Sequence, residues 1–234
     1  MFGKTMARGL LVAALLGATV LARAVQAEVI LPDLPAGSEY QLVFVTNAQF
    51  PGTSGSEATY NTFVSSQASS LNLLLPSGTT WSAITSTTDG SPNNTALANA
   101  VTSVAIPIYN TQGQCVSNVP GGIWGGNGLS SPIDYNQYGT KYNVDVWTGT
   151  TPSGGADGSF ALGDNVAEYG VSFYSWSWLD AGDASTSDSL SLYALSSAIT
   201  VPGNVPEPST LTMLGTGLLG LAGVFFLRRR RAKG

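Results

Sequence analysis

Carboxylates are the main acid–base groups of this sequence. It has no histidine and one cysteine, which excludes a Ser-His-Asp triad, a Cys-His centre and a histidine-ligated zinc. A Ser-x-x-Lys nucleophile is absent, because Tyr138 stands three residues before Lys141. Glycoside hydrolysis needs two carboxylates at a fixed separation, one of them with a raised pKa. The candidates are Asp134, Asp145, Asp164 and Glu168. Spacing does not choose among them, and charges that keep a domain soluble are the simpler explanation.

A second cluster of carboxylates lies within residues 180–188. Asp180, Asp183 and Asp188 are interspersed with serine and threonine oxygens. Calcium takes about six to eight oxygen ligands, and such a segment can supply several, although the spacing is not that of an EF-hand. A calcium site is therefore one hypothesis, and a polar surface loop before the final strand is the alternative. No other cofactor is expected.

Three aromatic residues alternate with smaller ones over residues 171–178 (VSFYSWSW). The period of two predicts a strand with Tyr174, Trp176 and Trp178 on one face. Exposed aromatic rows stack on sugar rings, whereas buried rows fill protein cores, where aromatic side chains contribute much of the apolar area. The sequence leaves both roles open, and glycan binding is the functional hypothesis.

The elements that must position these side chains are one main helix and several short strands. Apolar or small residues at helical spacing predict the helix: Tyr60, Phe63, Val64, Ala68 and Leu71. Ser54 and Glu57 form a predicted capping box at its start. A helical turn is expected over residues 95–100, and strands over residues 40–46, 104–109, 142–148, 171–178 and 190–195. This order predicts a single α+β domain with mostly antiparallel strands, with a β-sandwich as the alternative.

The charges are sorted along the chain. All 14 carboxylates lie between Glu28 and Glu207, where Lys141 is the one base, so this stretch carries a net charge of −13. The other bases lie near the two ends of the sequence. Nucleic acid is excluded as a partner, because phosphate binding requires clustered lysine and arginine. Basic ends around an acidic body are typical of a protein that is threaded through a membrane.

The first 27 residues have the composition of a signal peptide. Lys4 and Arg8 precede a short apolar segment at residues 9–22, and small residues follow at the positions that signal peptidase recognises. Cleavage is therefore predicted between Ala27 and Glu28. Cys115 is the single cysteine, so no intramolecular disulfide can form. A small packed side chain is its favoured interpretation, with a reactive thiol as the alternative.

The C-terminal segment predicts a membrane anchor. Residues Leu211 to Leu227 carry no charge and would form a helix of about 26 Å, near the short limit of a bilayer span. The four arginines Arg228, Arg229, Arg230 and Arg231 follow directly and would stop transfer on the cytoplasmic side of the inner membrane. Before the span, Pro206 and Pro208 flank Glu207 and force an extended segment that a processing enzyme can bind.

Residues 205–231 closely resemble the PEP-CTERM sorting signal of Gram-negative bacteria. The resemblance implies that exosortase, a membrane protease-transpeptidase, recognises the motif whose residues here are Val205, Pro206, Glu207 and Pro208. It also implies that the tail is cut near this motif and that the domain passes to the cell surface or to an extracellular polysaccharide matrix. The tail would then be a substrate with no catalysis of its own.

A second resemblance concerns the exported domain. Short matches over about residues 40–180, among them Val43-Phe44-Val45-Thr46 and Gly122-Ile123-Trp124, are similar to endostatin-like and C-type-lectin-like domains of bacterial surface proteins. The disulfides common in that fold cannot form here, and the Glu-Pro-Asn and Trp-Asn-Asp signatures of calcium-dependent sugar binding are absent.

The predicted organisation has four parts. These are a signal peptide (1–27), an exported domain (28–195), a linker (196–204) and a sorting signal (205–234), which comprises the motif (205–210), a transmembrane helix (211–227) and a basic tail (228–234). The predicted function is a non-enzymatic surface or biofilm-matrix protein with a structural or ligand-binding domain. Its expected partners are signal peptidase, exosortase, the inner membrane and an exopolysaccharide. A secreted carboxylate-dependent hydrolase acting on polysaccharide is the alternative.

Overall fold

A computed structural model describes residues 28–92, 94–100, 106–118, 122–124 and 128–203. The predicted signal peptide and sorting signal lie outside these residues. Within them, no helix has the length and apolar character needed to cross a membrane.

The centre of the fold is strand β1 (Glu39–Val45), which is buried on both faces. Leu42 and Phe44 belong to one apolar cluster and Val43 and Val45 to another. Because both faces are covered, nearly every residue of the strand can be apolar, as the sequence shows. Strand β9 (Ser189–Ser196) pairs with it antiparallel and contributes alternate residues to the same two clusters.

The described strands form one connected sheet. The shorter ones are β2 (Phe50–Pro51), β3 (Trp81–Ala83), β4 (Ile108–Asn110), β5 (Cys115–Ser117), β6 (Asp145–Trp147), β7 (Val166–Val171), β8 (Gly182–Ser185) and β10 (Ile199–Thr200). The order is β5-β4-β1-β9-β6-β7-β8, with β10 on β1 and with β2 and β3 on β9. The β1–β4 and β6–β9 pairs are parallel, and the remaining pairs are antiparallel. A mainly antiparallel sheet with one main helix agrees with the predicted α+β class.

The main helix is α1 (Glu57–Gln67), which continues into a 3₁₀ segment, Ala68–Leu73. Its predicted apolar face is confirmed, because Tyr60, Val64 and Leu71 are buried in the cluster that contains Leu42 and Phe44. The short helix α2 (Ala96–Asn99) is also confirmed. Its first turn is capped by the Thr95 hydroxyl, which accepts a hydrogen bond from the Ala98 amide.

The predicted capping box of α1 is wrong. The N-cap is Ser56, whose side chain makes no capping hydrogen bond. The Ser54 hydroxyl instead accepts from the Ser56 amide at 3.2 Å and donates to the Thr59 hydroxyl at 3.0 Å. A distant residue supplies the missing acceptor, since the Asp89 carboxylate accepts a hydrogen bond from the Glu57 amide. A negative group at this position is favoured by the helix dipole.

The strands predicted at residues 40–46 and 190–195 are confirmed by β1 and β9. The segment predicted at 142–148 shortens to β6, and the one at 104–109 overlaps β4 only at its end. Residues 104 and 105 lie outside the described residues.

The predicted strand over residues 171–178 is wrong, because the observed strand β7 ends at Val171. The chain then folds back on β7, so that the Val171 amide donates to the Ser177 carbonyl at 3.1 Å. Gly170 permits this approach, since a Cβ at that position would overlap the carbonyl of Trp178. The alternating pattern therefore belongs to a packed loop rather than to a strand.

Residues 196–204, which the sequence assigns to a linker, begin inside β9 and include β10. Ile199 is buried, and β10 pairs with the start of β1. Because these residues complete the sheet, the described chain leaves the domain only after Thr200.

A buried carboxyl group lies at the start of α1. Glu57 is 4% exposed, and its Oε2 accepts hydrogen bonds from the Thr85 hydroxyl at 2.8 Å and the Asn99 amide at 3.1 Å. Its Oε1 is buried and has no hydrogen-bond partner among the described residues. Burial raises the pKa of Glu57 from 4.5 to about 8, so the side chain is neutral at pH 7.

The buried Glu57 predicts a loss of stability as the pH rises. Between pH 4.5 and 8 the folded protein keeps a proton that the unfolded chain has lost, so this contribution is full below pH 4.5 and is lost toward pH 8. The free energy of unfolding should fall by up to about 1.4 kcal/mol per pH unit from this group. Urea unfolding of E57Q at several pH values in this range should give an unfolding free energy that depends less on pH than that of the wild type. The exposed-site control E39Q should keep the pH dependence of the wild type. An unchanged pH dependence in E57Q would contradict the prediction.

Candidate functional site

Four of the predicted site residues lie in one loop, residues 172–181, which joins β7 to β8 and is called here the β7–β8 loop. Hydrogen bonds fix both of its ends. The Ser172 hydroxyl donates to the Tyr142 carbonyl and accepts from the Val144 amide, both at 2.9 Å. Near the other end, the Leu179 carbonyl accepts from the Thr148 hydroxyl at 2.6 Å. The loop is thereby held at both ends of β6, by residues that precede the strand and by one that follows it.

The middle of the loop is fixed by a neighbouring segment. The Ser175 carbonyl accepts a hydrogen bond from the Leu129 amide at 2.8 Å. At Gly128, φ is +75°, a backbone conformation that residues other than glycine disfavour. A Cβ at this position would also lie only 3.2 Å from the Ser175 carbonyl oxygen. The glycine thus lets the two segments approach closely.

The three aromatic residues of the predicted row have two different environments. Trp178 is 4% exposed and packs edge-on against Tyr193, with ring centroids 5.7 Å apart. Tyr174 and Trp176 are 46% and 77% exposed. Both hypotheses from the sequence therefore hold for part of the row: one ring fills the core, and two face solvent.

Tyr174 and Trp176, called here the aromatic pair, stack on each other. Their ring centroids are 5.5 Å apart and their planes differ by 23°. The half-buried Phe173 supports Tyr174 from behind, with centroids 4.6 Å apart. Such offset stacking is the favoured geometry of aromatic rings, and it leaves much of the indole surface of Trp176 open to a ligand.

A buried carboxyl group lies at the base of the loop. Glu168, in β7, is 7% exposed, and its Oε1 accepts a hydrogen bond from the Gly182 amide at 2.9 Å. Burial is the largest cause that raises the pKa of Glu168 from 4.5 to about 7. The charge of Asp180, a hydrogen bond with its side chain and the charge of Asp157 act in the same direction, while the hydrogen bond from the Gly182 amide acts against them. Glu168 and Asp180 thus form a carboxyl pair in which the charge of Asp180 favours the protonated form of Glu168.

The sequence proposed both members of this carboxyl pair but did not place them together. Glu168 was one of four candidate acids, and Asp180 was assigned to the calcium hypothesis. They meet because β7 and β8 pair antiparallel, with Tyr169 opposite Gly182. Spacing alone holds no signal for this pairing, and a correct prediction of the β7–β8 hairpin would have been needed.

The remaining candidate acids are dispersed. Asp134 is buried and forms an ion pair with Lys141 at 2.9 Å. Asp145 is exposed at the start of β6. Asp164 has a buried carboxylate oxygen without a hydrogen-bond partner in the described part of the chain. The buried Glu57 was missed as a titratable group, because its position suggested only a helix cap.

The three aspartates of the calcium hypothesis lie before, within and after strand β8. Asp180 ends the β7–β8 loop, Asp183 lies in β8, and Asp188 follows in the turn before β9. In the ranges that the structure describes, no group of three or more carboxylate or cysteine side chains is arranged to hold a metal ion. Calcium binding stays a prediction from the sequence alone.

Cys115 is half-buried in β5. Burial raises the pKa of its thiol, which disfavours the reactive thiolate. This environment agrees with a packing role for the side chain.

These observations describe a folded domain that presents an aromatic pair on a fixed loop, followed by a sorting tail. The PEP-CTERM protein-sorting motif matches residues 204–231. The chain therefore carries a PEP-CTERM sorting signal, as the sequence predicted, and this signal indicates an exported protein that exosortase processes on its way to the cell surface. A comparison with curated proteins finds no match to the chain.

The different environments of the two tryptophans predict different effects on stability. W178A removes a buried side chain from the core and should cost about 3–5 kcal/mol of unfolding free energy. W176A removes an exposed side chain and should change it by less than about 0.5 kcal/mol. Urea unfolding of the two variants measures this difference. Equal losses would show that Trp176 is also part of the packed core. W176A is thus the variant suited to binding experiments.

Proposed function

We propose that the chain is an exosortase-processed surface or extracellular-matrix protein whose domain binds polysaccharide through the aromatic pair. The observation that carries this proposal is the stacked, solvent-facing arrangement of Tyr174 and Trp176 on a hydrogen-bonded loop. Adjacent exposed apolar side chains can mark a binding surface. The C-type-lectin-like or endostatin-like fold suggested by the sequence belongs to the same proposal.

The processing route supplies the biological setting. Signal peptidase would cut between Ala27 and Glu28, and the inner membrane would hold the intermediate by residues 211–227. Exosortase would then act at residues 206–208 and release the domain to the cell surface or the biofilm matrix of a Gram-negative cell. A glycan-binding domain would retain the released protein in that matrix.

The charge of the domain narrows the ligand class. Residues Glu28 to Glu207 carry a net charge of −13, and the single base among them, Lys141, is paired with Asp134. Anionic polysaccharides would be repelled by this field, whereas neutral polymers would not. Stacking requires no charged partner. The favoured ligand is therefore a neutral polysaccharide bound by ring contact rather than through a calcium ion.

The proposal predicts that binding depends on Trp176. Covering roughly 80 Å² of indole surface at about 25 cal/mol/Å² gives about 2 kcal/mol, or roughly 30-fold in affinity. Affinity electrophoresis with dextran, laminarin and hydroxyethyl cellulose should show retardation by at least one neutral polymer. W176A should lose it, and Y174A should weaken it.

The matched control is Y138A, which removes an exposed tyrosine from a different turn. It should bind like the wild type, and alginate should retard none of the proteins. Unchanged binding by W176A, or no binding to any neutral polymer, would contradict the proposal.

A second candidate function is a carboxylate-dependent hydrolase acting on polysaccharide. The observation that favours it is the pKa of Glu168, about 7, beside Asp180, because a general acid works best when its pKa lies near the working pH. Reducing-sugar release from the same polymers tests it. E168Q should lower turnover by at least about 100-fold. D188N alters an exposed carboxylate outside the pair of Glu168 and Asp180 and should retain turnover. Absence of turnover by the wild type would exclude this candidate for those polymers.

A further inference from the structure

Several long stretches of this acidic chain carry no charge, among them residues 58–88, 90–133 and 189–206. The first and the last of these meet at one end of the sheet, where Trp81 of β3 pairs with Ser196 of β9. Beyond this pair, the Ser197 amide donates to the Thr80 carbonyl at 2.8 Å, and the Thr80 amide donates to the Ser197 hydroxyl at 3.2 Å.

Two adjacent leucines are exposed at this end. Leu73, the last residue of the 3₁₀ segment that follows α1, is 87% exposed, and the next residue, Leu74, is 56% exposed. The two residues before them fix their position. Leu71 is buried, and the side chain of Asn72 accepts a hydrogen bond from the Trp81 indole at 2.9 Å. The core therefore holds the segment so that the two leucines face solvent.

The chain leaves the domain beside these leucines. Residues Pro76 to Thr79 and Ser197 to Thr200 line one cleft, and β10 is the last strand before the sorting signal. Seven residues separate Gly203 from the start of the predicted span at Leu211, and fully extended they allow a distance of at most about 29 Å. Before exosortase acts, this end of the domain is consequently held close to the bilayer.

We propose that this surface, called here the exit face (Leu73, Leu74, Pro76–Thr79 and Ser197–Thr200), rests on the outer surface of the inner membrane while the tail is uncut. Leu73 and Leu74 enter the interfacial region of the lipids. The rest of the domain is acidic and would be repelled by anionic lipids. Glu39 is exposed and pairs with Thr200, so one carboxylate adjoins the exit face.

The short linker between the domain and the predicted span determines whether two leucines are sufficient for contact with the membrane. Two leucine side chains give only weak binding to a membrane from free solution. A short linker raises the effective concentration of the exit face at the bilayer into the millimolar range, so that weak insertion becomes favourable. Cleavage removes this advantage, and the released domain leaves the membrane. The exit face therefore acts only in the uncut intermediate, independently of any glycan ligand.

The register of the sheet places the aromatic pair at the other end. Val171, where the β7–β8 loop begins, pairs with Asp145 of β6, and β6 lies beside the beginning of β9. The chain exits at the opposite end of β9, whose eight residues span about 25 Å. With the exit face on the membrane, the β7–β8 loop begins far from the lipids.

Fluorescence quenching in vesicles tests this orientation. The full chain is reconstituted by its own span into vesicles of phosphatidylethanolamine and phosphatidylglycerol that carry a headgroup-level nitroxide lipid. In a C115S background, an environment-sensitive fluorophore is attached at S77C on the exit face or at S187C, in the turn at the far end of β9. The S77C probe should be blue-shifted and quenched several-fold more strongly than the S187C probe.

Variants of the two leucines connect this result to the exit face. The double variant L73S with L74S should remove the difference in quenching between the S77C and S187C probes, whereas L73F should retain it. L97S should leave the difference unchanged, because that exposed leucine lies on α2. Circular dichroism verifies that each variant is folded. Equal quenching of both probes, or quenching that persists in the double serine variant, would overturn the proposal. Quenching that increases with the protein-to-lipid ratio would indicate contact between copies and would also overturn it.

Discussion

The antiparallel pairing of β1 with β9 is the interaction on which the rest of the structure depends. β9 also pairs with β2, β3 and β6, so one strand fixes the position of most of the sheet. Both faces of the pair are buried, one by α1 and the other by the loop segments that contain Ile84 and Trp178. With one cysteine and no disulfide, the domain relies on this apolar packing for its stability.

Sequence patterns predicted the elements whose burial follows a simple geometric rule. β1 and β9 are apolar because both of their faces are covered. The apolar residues of α1 recur at helical spacing because one side of the helix packs on the sheet. The pattern at residues 171–178 failed because alternation also arises when a loop folds back and buries Ser177 and Trp178 while it exposes Trp176. What distinguishes a folded-back loop from a strand here is Gly170, which has no side chain to block the returning backbone. The segment that packs against the loop also matters, and the local sequence does not identify it.

The same limit applies to the chemistry of the site. Charge counting placed carboxylates on an acidic body, yet Glu57 and Glu168 are buried with raised pKa values. Burial is the largest cause of both shifts, and the groups that surround the two carboxyls lie far away in sequence: Asn99 and Thr85 contact the first, and Asp180 lies beside the second. The sorting tail needed no such tertiary information. Its prolines, apolar run and arginines act in sequence order, and the matched motif at residues 204–231 confirms it.

The two ends of β9 separate the two tasks that a sorted surface protein must perform. In the proposed function, the sorting tail is accessible to a membrane enzyme, and the β7–β8 loop faces away from the membrane toward a polymer outside. The end of β9 continues to β10 and the tail, whereas its beginning lies beside β6 and the start of the β7–β8 loop. Because the sheet between them is buried and continuous, we expect cleavage of the tail to leave the packing around Trp178 unchanged. The released domain can therefore keep the loop geometry that it had in the anchored intermediate.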